Sequence, residues 1–178
     1  MNKKAFAILI LFATISISLL AVESVEYYYK ATGDHLLSLD LYVSESAKGS
    51  FPVIVYVHGG SWIHGDKRSD FKHLPQGSLE KILDKGFALV SIDYRLATET
   101  IKYPIPVTDC KDALRWLRKN ARQLKLDPNR IALWGVSAGG HLTLLAGLTP
   151  EHMFIDDNDL VDYSSEVNVL GRSNRFFV

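Results

Sequence analysis

The sequence predicts a single α/β domain, in which buried strands alternate with amphipathic helices. Three segments, 52–57, 87–92 and 131–134, are apolar almost throughout. Strands buried on both faces have this composition, which is typical of a parallel sheet that helices cover on each side. Helical segments separate the three strands along the chain, as crossover connections require. A length of 178 residues is sufficient for one domain.

Two earlier segments, 25–30 and 36–43, predict an antiparallel pair of strands at the start of the sheet. In the second segment, leucine and valine alternate with serine, aspartate and tyrosine, so one face of the strand is expected to be buried. Residues 32–34, Thr-Gly-Asp, lie between the two segments and are typical of a tight turn.

Helices are predicted over 78–85, 106–124 and 138–148. The second is the most strongly patterned, because its apolar residues lie three and four positions apart and indicate a buried stripe. The stripe contains Val107, Cys110, Leu114, Leu117, Ala121 and Leu124. The opposite face is basic and is expected to be exposed to solvent. It carries Lys111, Arg115, Arg118 and Arg122.

The first 24 residues predict a secretory signal peptide. Two lysines precede an uncharged, apolar run over residues 5–21, and the small residues Ala21 and Ser24 fit a cleavage site. We therefore expect a secreted or periplasmic domain that comprises residues 25–178. The alternative is a membrane anchor formed by residues 5–21, a run near the lower limit for crossing a bilayer.

Composition argues against several classes of partner. The chain has 20 basic and 20 acidic residues, so no excess of charge favours nucleic acid or an acidic surface. Cys110 is the single cysteine, which excludes an internal disulfide, and its place on the apolar stripe predicts a buried thiol. The acidic run 156–159 lacks the glycine and terminal glutamate of a calcium loop, so we expect a solvated loop. No metal or cofactor is predicted.

Residues 135–139, Gly-Val-Ser-Ala-Gly, form the pattern G-x-S-x-G between a predicted strand and a predicted helix. A serine on such a sharp turn projects its hydroxyl clear of the sheet, and the flanking glycines let strand and helix pack closely. The N-terminus of the helix favours negative charge that develops there. The pattern therefore predicts Ser137 as a nucleophile.

A second motif, His-Gly-Gly-Ser-Trp at residues 58–62, follows the first apolar strand. Acyl transfer requires N–H donors aimed at an oxyanion, and glycines let the backbone approach it closely. We expect His58 to brace this loop rather than to act as a base, and Trp62 to pack beneath the loop. Asp93 and Arg95 are expected to form a structural ion pair or to brace a loop.

These segments together resemble the α/β-hydrolase esterases of the hormone-sensitive-lipase-like or feruloyl-esterase-like (BD-FAE-like) branch. The matching segments are 58–67, 91–97, 103–121 and 127–142. The resemblance implies that Ser137 attacks a small carboxylic ester without a metal or cofactor. It also implies an oxyanion hole whose donors are the backbone N–H groups of Gly60, Ser61 and Ala138. Gly59 would shape the turn.

The same resemblance places the acid and the histidine of the triad on later loops of the fold. Only His141 and His152 follow Ser137, and both are too near in sequence to lie on such a loop. Residues 164–169 begin the next expected strand, after which the family pattern is lost. We therefore predict the N-terminal part of an α/β-hydrolase fold, C-terminally truncated, with an unprotected sheet edge beside the strand that leads to the serine.

The function predicted is that of a serine carboxylic-ester hydrolase by ancestry, impaired because the triad acid and histidine are absent. One alternative is a non-catalytic fragment or binding module that keeps the ligand loops of the fold. Another is a peptidase or amidase, since the same serine turn serves amides. The pockets for the acyl and alcohol groups are expected to come largely from segments absent here.

Overall fold

The computed structural model describes residues 23–44, 49–69 and 77–173, with side chains described up to residue 169. The strands are β1 (Val25–Thr32), β2 (His35–Tyr42), β3 (Phe51–Val57), β4 (Ala88–Ile92), β5 (Leu126–Val136) and β6 (Val169–Ser173). The helices are α1 (Ser78–Asp84), α2 (Ile105–Lys119) and α3 (Ala138–Leu148), and a short 3-10 helix covers Asn158–Leu160.

The predicted signal peptide or anchor over residues 5–21 lies outside the described residues, so it stays a prediction. None of the helices in the described part of the chain is long and apolar enough to cross a membrane.

The six strands form one sheet in the order β1-β2-β4-β3-β5-β6. β2 pairs antiparallel with both β1 and β4, and the remaining pairs are parallel. This confirms a mostly parallel sheet with antiparallel N-terminal strands. β3 and β4 lie in the middle and are almost wholly buried, as their apolar sequences predict. Since β3, β4 and β5 run parallel, the residues that follow them meet at one edge of the sheet.

Helix α2 is shorter than predicted at its C-terminus. It ends at Lys119 rather than at Leu124, because the side-chain amide of Asn120 donates a hydrogen bond to the carbonyl of Trp116 at 2.8 Å and closes the last turn. Cys110 is fully buried on the apolar face of the helix, as predicted.

The predicted open edge beside β5 is wrong for the described residues, because β6 pairs with β5 in parallel from Val169 to Ser173. This strand begins later than the sequence pattern indicated. The preceding residues are held against α2 instead, where the guanidinium of Arg118 donates to the carbonyls of Ser164 and Glu166. Asn168 then bonds to Ile131 through its backbone N–H and its side-chain oxygen, both at 2.8 Å, and starts the pairing.

The predicted basic, solvent-exposed face of α2 is wrong for its central residues, Lys111 and Arg115, which are both fully buried. The segment after α3 folds over them and supplies carbonyl acceptors. Lys111 Nζ donates to the carbonyl of Pro150 at 2.6 Å, and Arg115 donates to that of Phe154 at 3.0 Å. Only Arg122, beyond the end of the helix, is exposed as expected.

A buried ion cluster joins β1, α2 and the loop after β4. Lys30 bonds to Asp109 at 2.8 Å and to Asp112 at 2.7 Å, while Arg95 bonds to Asp109 at 2.7 Å. Burial opposes the charge on Lys30, but Asp109 and Asp112 outweigh it and raise the pKa of the ammonium group. Asp156 also pairs with Lys30 and Arg95 while its side chain stays 44 % exposed, so the acidic loop is solvated at this residue and carries an ion pair as well.

We predict that the stability of the protein rises with pH because of Lys111. Burial, and then the neighbouring Arg115, lower the pKa of Lys111 to about 8 from 10.5. Between these two values the unfolded chain keeps a proton that the folded chain has lost, so stability increases with pH. Relative to Lys111→Met, the wild-type free energy of unfolding should increase by about 3 kcal/mol from about pH 7.5 to about pH 10.5.

Urea denaturation at several pH values measures this difference. Lys119→Met, which alters an exposed lysine of the same helix, controls for the loss of one lysine. Parallel pH curves for the wild type and Lys111→Met would contradict the prediction.

Candidate active site

Ser137 forms the turn between β5 and α3 in a strained backbone conformation. Its φ is 53° and its ψ is −118°, a region that residues with a side chain rarely adopt, and the residue is exposed. Its carbonyl accepts the N–H of His141 at 3.1 Å, which begins the helix. The sharp strand-to-helix turn predicted from G-x-S-x-G is therefore present.

Both glycines of this motif are required by close backbone contacts. A Cβ added at Gly135 would lie 2.4 Å from the carbonyl of Gly139. A Cβ added at Gly139 would lie 2.1 Å from the carbonyl oxygen of Val57 and 2.4 Å from that of His58. The first turn of α3 thus packs directly on the end of β3, which brings the serine turn beside the glycine loop.

The loop after β3 contains consecutive residues with positive φ: 108° at Gly60, 54° at Ser61 and 65° at Trp62. The carbonyl of Gly60 accepts the N–H groups of Ile63 and His64, at 3.1 and 2.9 Å, and closes the turn. A Cβ at Gly60 would lie 2.0 Å from the carbonyl oxygen of His64. Glycine is therefore necessary at this position.

The predicted oxyanion donors lie on these two turns. Gly60 and Ser61 belong to the loop after β3, and Ala138 is the first residue of α3. No described residue accepts a hydrogen bond from the backbone N–H groups of these three residues. Gly60 and Ser61 are exposed, whereas Ala138 is buried. Gly59 precedes them and is buried.

His58 braces the loop from below, as predicted. Its ring is buried, stacks on Tyr94 with 4.3 Å between ring centroids, and places Nδ1 2.7 Å from the carbonyl oxygen of Gly59. Because that oxygen can only accept, Nδ1 carries the proton. The hydroxyl of Tyr94 donates to the carbonyl of His58 at 3.1 Å, which fixes the strand end as well.

The far end of the loop is anchored by Lys67, which the sequence analysis did not single out. Its backbone N–H donates to Asp93 at 2.8 Å, and its ammonium group donates to Glu26 and Ser38, each at 2.6 Å. Burial opposes the charge, but Glu26 and Asp93 outweigh it and raise the pKa of Lys67. Asp93 therefore braces the loop, and the ion pair considered with Arg95 does not form.

The prediction that Trp62 packs beneath the loop is wrong. The indole is 39 % exposed and meets the ring of His141 edge-on, with centroids 5.4 Å apart. Both rings line a cavity of about 380 Å³ between the loop, α3 and the start of α2. The exposure of Trp62 is a feature that its residue type does not reveal.

Ser137 lacks the neighbours of a complete triad within the described part of the chain. There, no hydrogen bond joins it to a histidine or a carboxylate side chain. His141 is engaged with Trp62, and His152 is exposed on the segment after α3. No group of three histidine, cysteine or acidic side chains able to hold a metal lies among the described residues.

The sheet order, the strained serine and the adjoining glycine loop together define an α/β-hydrolase. A sequence profile of the BD-FAE family matches residues 39–170, and the chain belongs to that family.

Several proteins of known function to which the chain is similar are esterases. Esterase LipC of Mycobacterium tuberculosis is 40% identical over 98 residues, which cover 55% of this chain and 23% of LipC. The arylesterase of Saccharolobus solfataricus is 37% identical over 98 residues, covering 54% of this chain and 30% of the relative. The structure of Thermogutta terrifontis esterase Est2 with propionate bound matches with a TM-score of 0.70 and 28% identity, covering 82% of this chain and 52% of Est2. This chain therefore spans about a quarter of the length of these two curated relatives and about half the length of Est2.

We predict that Gly139→Ala destabilises the protein by at least about 3 kcal/mol, because the new methyl group would displace the backbone of β3. Gly33→Ala is the matched control. There the methyl group meets no atom within 4 Å, and only the φ of 54° opposes it, so we expect a cost of about 1 kcal/mol. Chemical denaturation measures both. Equal costs for the two variants would show that the contact with β3 does not constrain the turn.

Proposed function

We propose that this chain carries the nucleophile and the oxyanion loop of a carboxylic-ester hydrolase, with Ser137 as the nucleophile. The observation that carries this proposal is the strained, exposed serine at the N-terminus of α3, held beside the glycine loop. The likeness to esterases supports ester hydrolysis as the chemistry.

In the proposed reaction, Ser137 Oγ attacks the carbonyl carbon of the ester and loses its proton to a base. The carbonyl oxygen becomes an oxyanion that accepts hydrogen bonds from the N–H groups of Gly60, Ser61 and Ala138. Collapse of this intermediate breaks the bond to the alcohol oxygen, which leaves with a proton and yields an acyl-serine. Water then attacks the acyl-serine, releases the carboxylic acid and restores the hydroxyl.

The base is the missing partner in this scheme. Since no histidine contacts Ser137 within the described residues, we expect the isolated 178-residue chain to turn over slowly. The alternative, a non-catalytic module that keeps the ligand loops, rests on the same observation. Export directed by residues 1–24 is part of the proposal, with anchoring by residues 5–21 as its alternative.

The test supplies the base as free imidazole. Hydrolysis of p-nitrophenyl acetate is followed with increasing imidazole for the wild-type chain and for Ser137→Ala, whose rate is subtracted as background. We expect imidazole to increase the serine-dependent rate at least about tenfold, because general base catalysis is worth about 10² or more.

Ser50→Ala is the matched control, because it removes another exposed serine, which precedes β3 at the end of the strand away from the glycine loop. It should respond to imidazole as the wild type does. Identical rates for the wild type and Ser137→Ala at every imidazole concentration would contradict the proposal and favour the non-catalytic module.

A further inference from the structure

We propose that Glu26, on the first strand of the sheet, is a positioning residue for the glycine loop (residues 58–67) and acts through Lys67. The N-terminal hairpin of β1 and β2 thereby influences how fast the proposed nucleophile reacts. The proposal rests on the proposed function, since it takes the N–H groups of Gly60 and Ser61 to hold the oxyanion. It adds a residue that belongs to neither glycine motif.

The backbone of Lys67 is fixed on both sides by groups of β4 and the residue that follows it. The N–H of Lys67 donates to Oδ1 of Asp93 at 2.8 Å, and its carbonyl accepts the hydroxyl of Ser91 at 2.6 Å. Ser91 lies within β4, and Asp93 follows its last residue. The glycine loop therefore runs from the end of β3 to a fixed point on the neighbouring strand.

The side chain of Lys67 continues from this point to the N-terminal hairpin. Its ammonium group donates to Oε1 of Glu26 and to Oγ of Ser38, each at 2.6 Å, and to Oδ2 of Asp93 at 3.3 Å. An ammonium group has three N–H donors, so these three acceptors use all of them. The side chain is only 8 % exposed, so few water molecules can replace a partner that is lost.

The charges around this ammonium group make its position depend on Glu26. The carboxylates of Glu26, Asp93 and Asp40 lie 2.6, 3.3 and 3.7 Å from Nζ, and Asp40 also pairs with Arg68 at 2.6 Å. The hydrogen bonds from Lys67 and then from Ser38 lower the pKa of Glu26, so its carboxylate is charged at neutral pH. Glu26 thus accepts a charge-assisted bond, the stronger kind, and its loss frees Lys67 to move.

The fold of the glycine loop transmits such a movement to the proposed donors. A Cβ added at Gly65 would lie 2.7 Å from Nδ1 of His58 and 3.0 Å from the carbonyl oxygen of Gly59, so the second half of the loop packs directly on the first. Gly60 follows at once, and its carbonyl closes the turn. Because the loop is packed on itself, a displaced Lys67 shifts the turn that carries the donors.

The test measures the reaction and the loop separately. The serine-dependent hydrolysis of p-nitrophenyl acetate, at one imidazole concentration, gives kcat and KM for the wild type, Glu26→Ala, Lys67→Met and the double variant. The Ser137→Ala version of each chain supplies the background. Hydrogen exchange of the amides in residues 58–67 is followed by peptide mass spectrometry. Glu80→Ala, which removes an exposed glutamate of α1, is the matched control and should match the wild type in both measurements.

We expect Glu26→Ala to lower kcat about fivefold with KM unchanged, as suits a partly exposed ion pair, and to accelerate exchange in the loop. Lys67→Met should lower kcat at least about tenfold, because it leaves carboxylates without their cation. Since Glu26 acts through Lys67, Glu26→Ala should cause no further loss in the Lys67→Met chain. Glu26→Gln keeps the acceptor oxygen and should give an intermediate kcat. Circular dichroism confirms that each variant is folded.

Two results would overturn the proposal: wild-type kcat and loop exchange in Glu26→Ala, or the same fold loss from Glu26→Ala with and without Lys67. The loop measurement separates this proposal from the preceding one. Faster loop exchange in Glu26→Ala, with no serine-dependent hydrolysis in the wild type, would refute the nucleophile and support the coupling of hairpin and loop. Serine-dependent hydrolysis that Glu26→Ala leaves unchanged would refute the positioning role alone.

Discussion

The close contact between the first turn of α3 and the end of β3 is the constraint on which the rest of the site depends. Without a side chain at Gly139, the helix backbone reaches the carbonyls of Val57 and His58. That approach sets the position of the serine turn relative to the glycine loop, which follows the same strand. The strained backbone of Ser137 follows from this contact, because the chain must reverse between β5 and a helix whose first turn touches the end of β3.

The loop that lies beside the serine is fixed at both ends. His58 and Tyr94 hold its start through stacking and two bonds to backbone oxygens. Lys67 and Asp93 hold its end, and they connect it to the N-terminal hairpin. In the proposed reaction this loop donates hydrogen bonds to the oxyanion, and such donors contribute most when they need no reorganisation. The role of Lys67 and Asp93 in that scheme is structural, since they hold the loop in place.

Much of this arrangement was predictable from sequence, and the exceptions share a cause. The apolar runs predicted the central strands, and the two glycine motifs predicted both turns, because each pattern depends on local backbone geometry. The burial of Lys111 and Arg115 was not predictable, since it depends on the carbonyls of a segment some 40 residues away in sequence. The partners of Arg95 and the contact of Trp62 with His141 likewise depend on tertiary contacts.

The pairing of β6 with β5 modifies the interpretation of the chain as a hydrolase core with an open edge. Backbone groups of β5 that face that side are satisfied over five residues, so the strand leading to Ser137 is held on both sides. A strained turn persists only when the surrounding structure holds it in place, and the pairing of β5 with a strand on each side contributes to this. The serine turn is thus maintained by the described part of the chain itself.

The most direct test of the central claim is to identify the residue that reacts with paraoxon. The chain is incubated with excess reagent and imidazole, and the phosphorylated residue is located by peptide mass spectrometry. The account predicts a single diethylphosphoryl adduct on Ser137, formed faster than on any other serine because the glycine loop stabilises the phosphoryl oxygen. Adducts spread over several serines, or none on Ser137 in a folded chain, would contradict it.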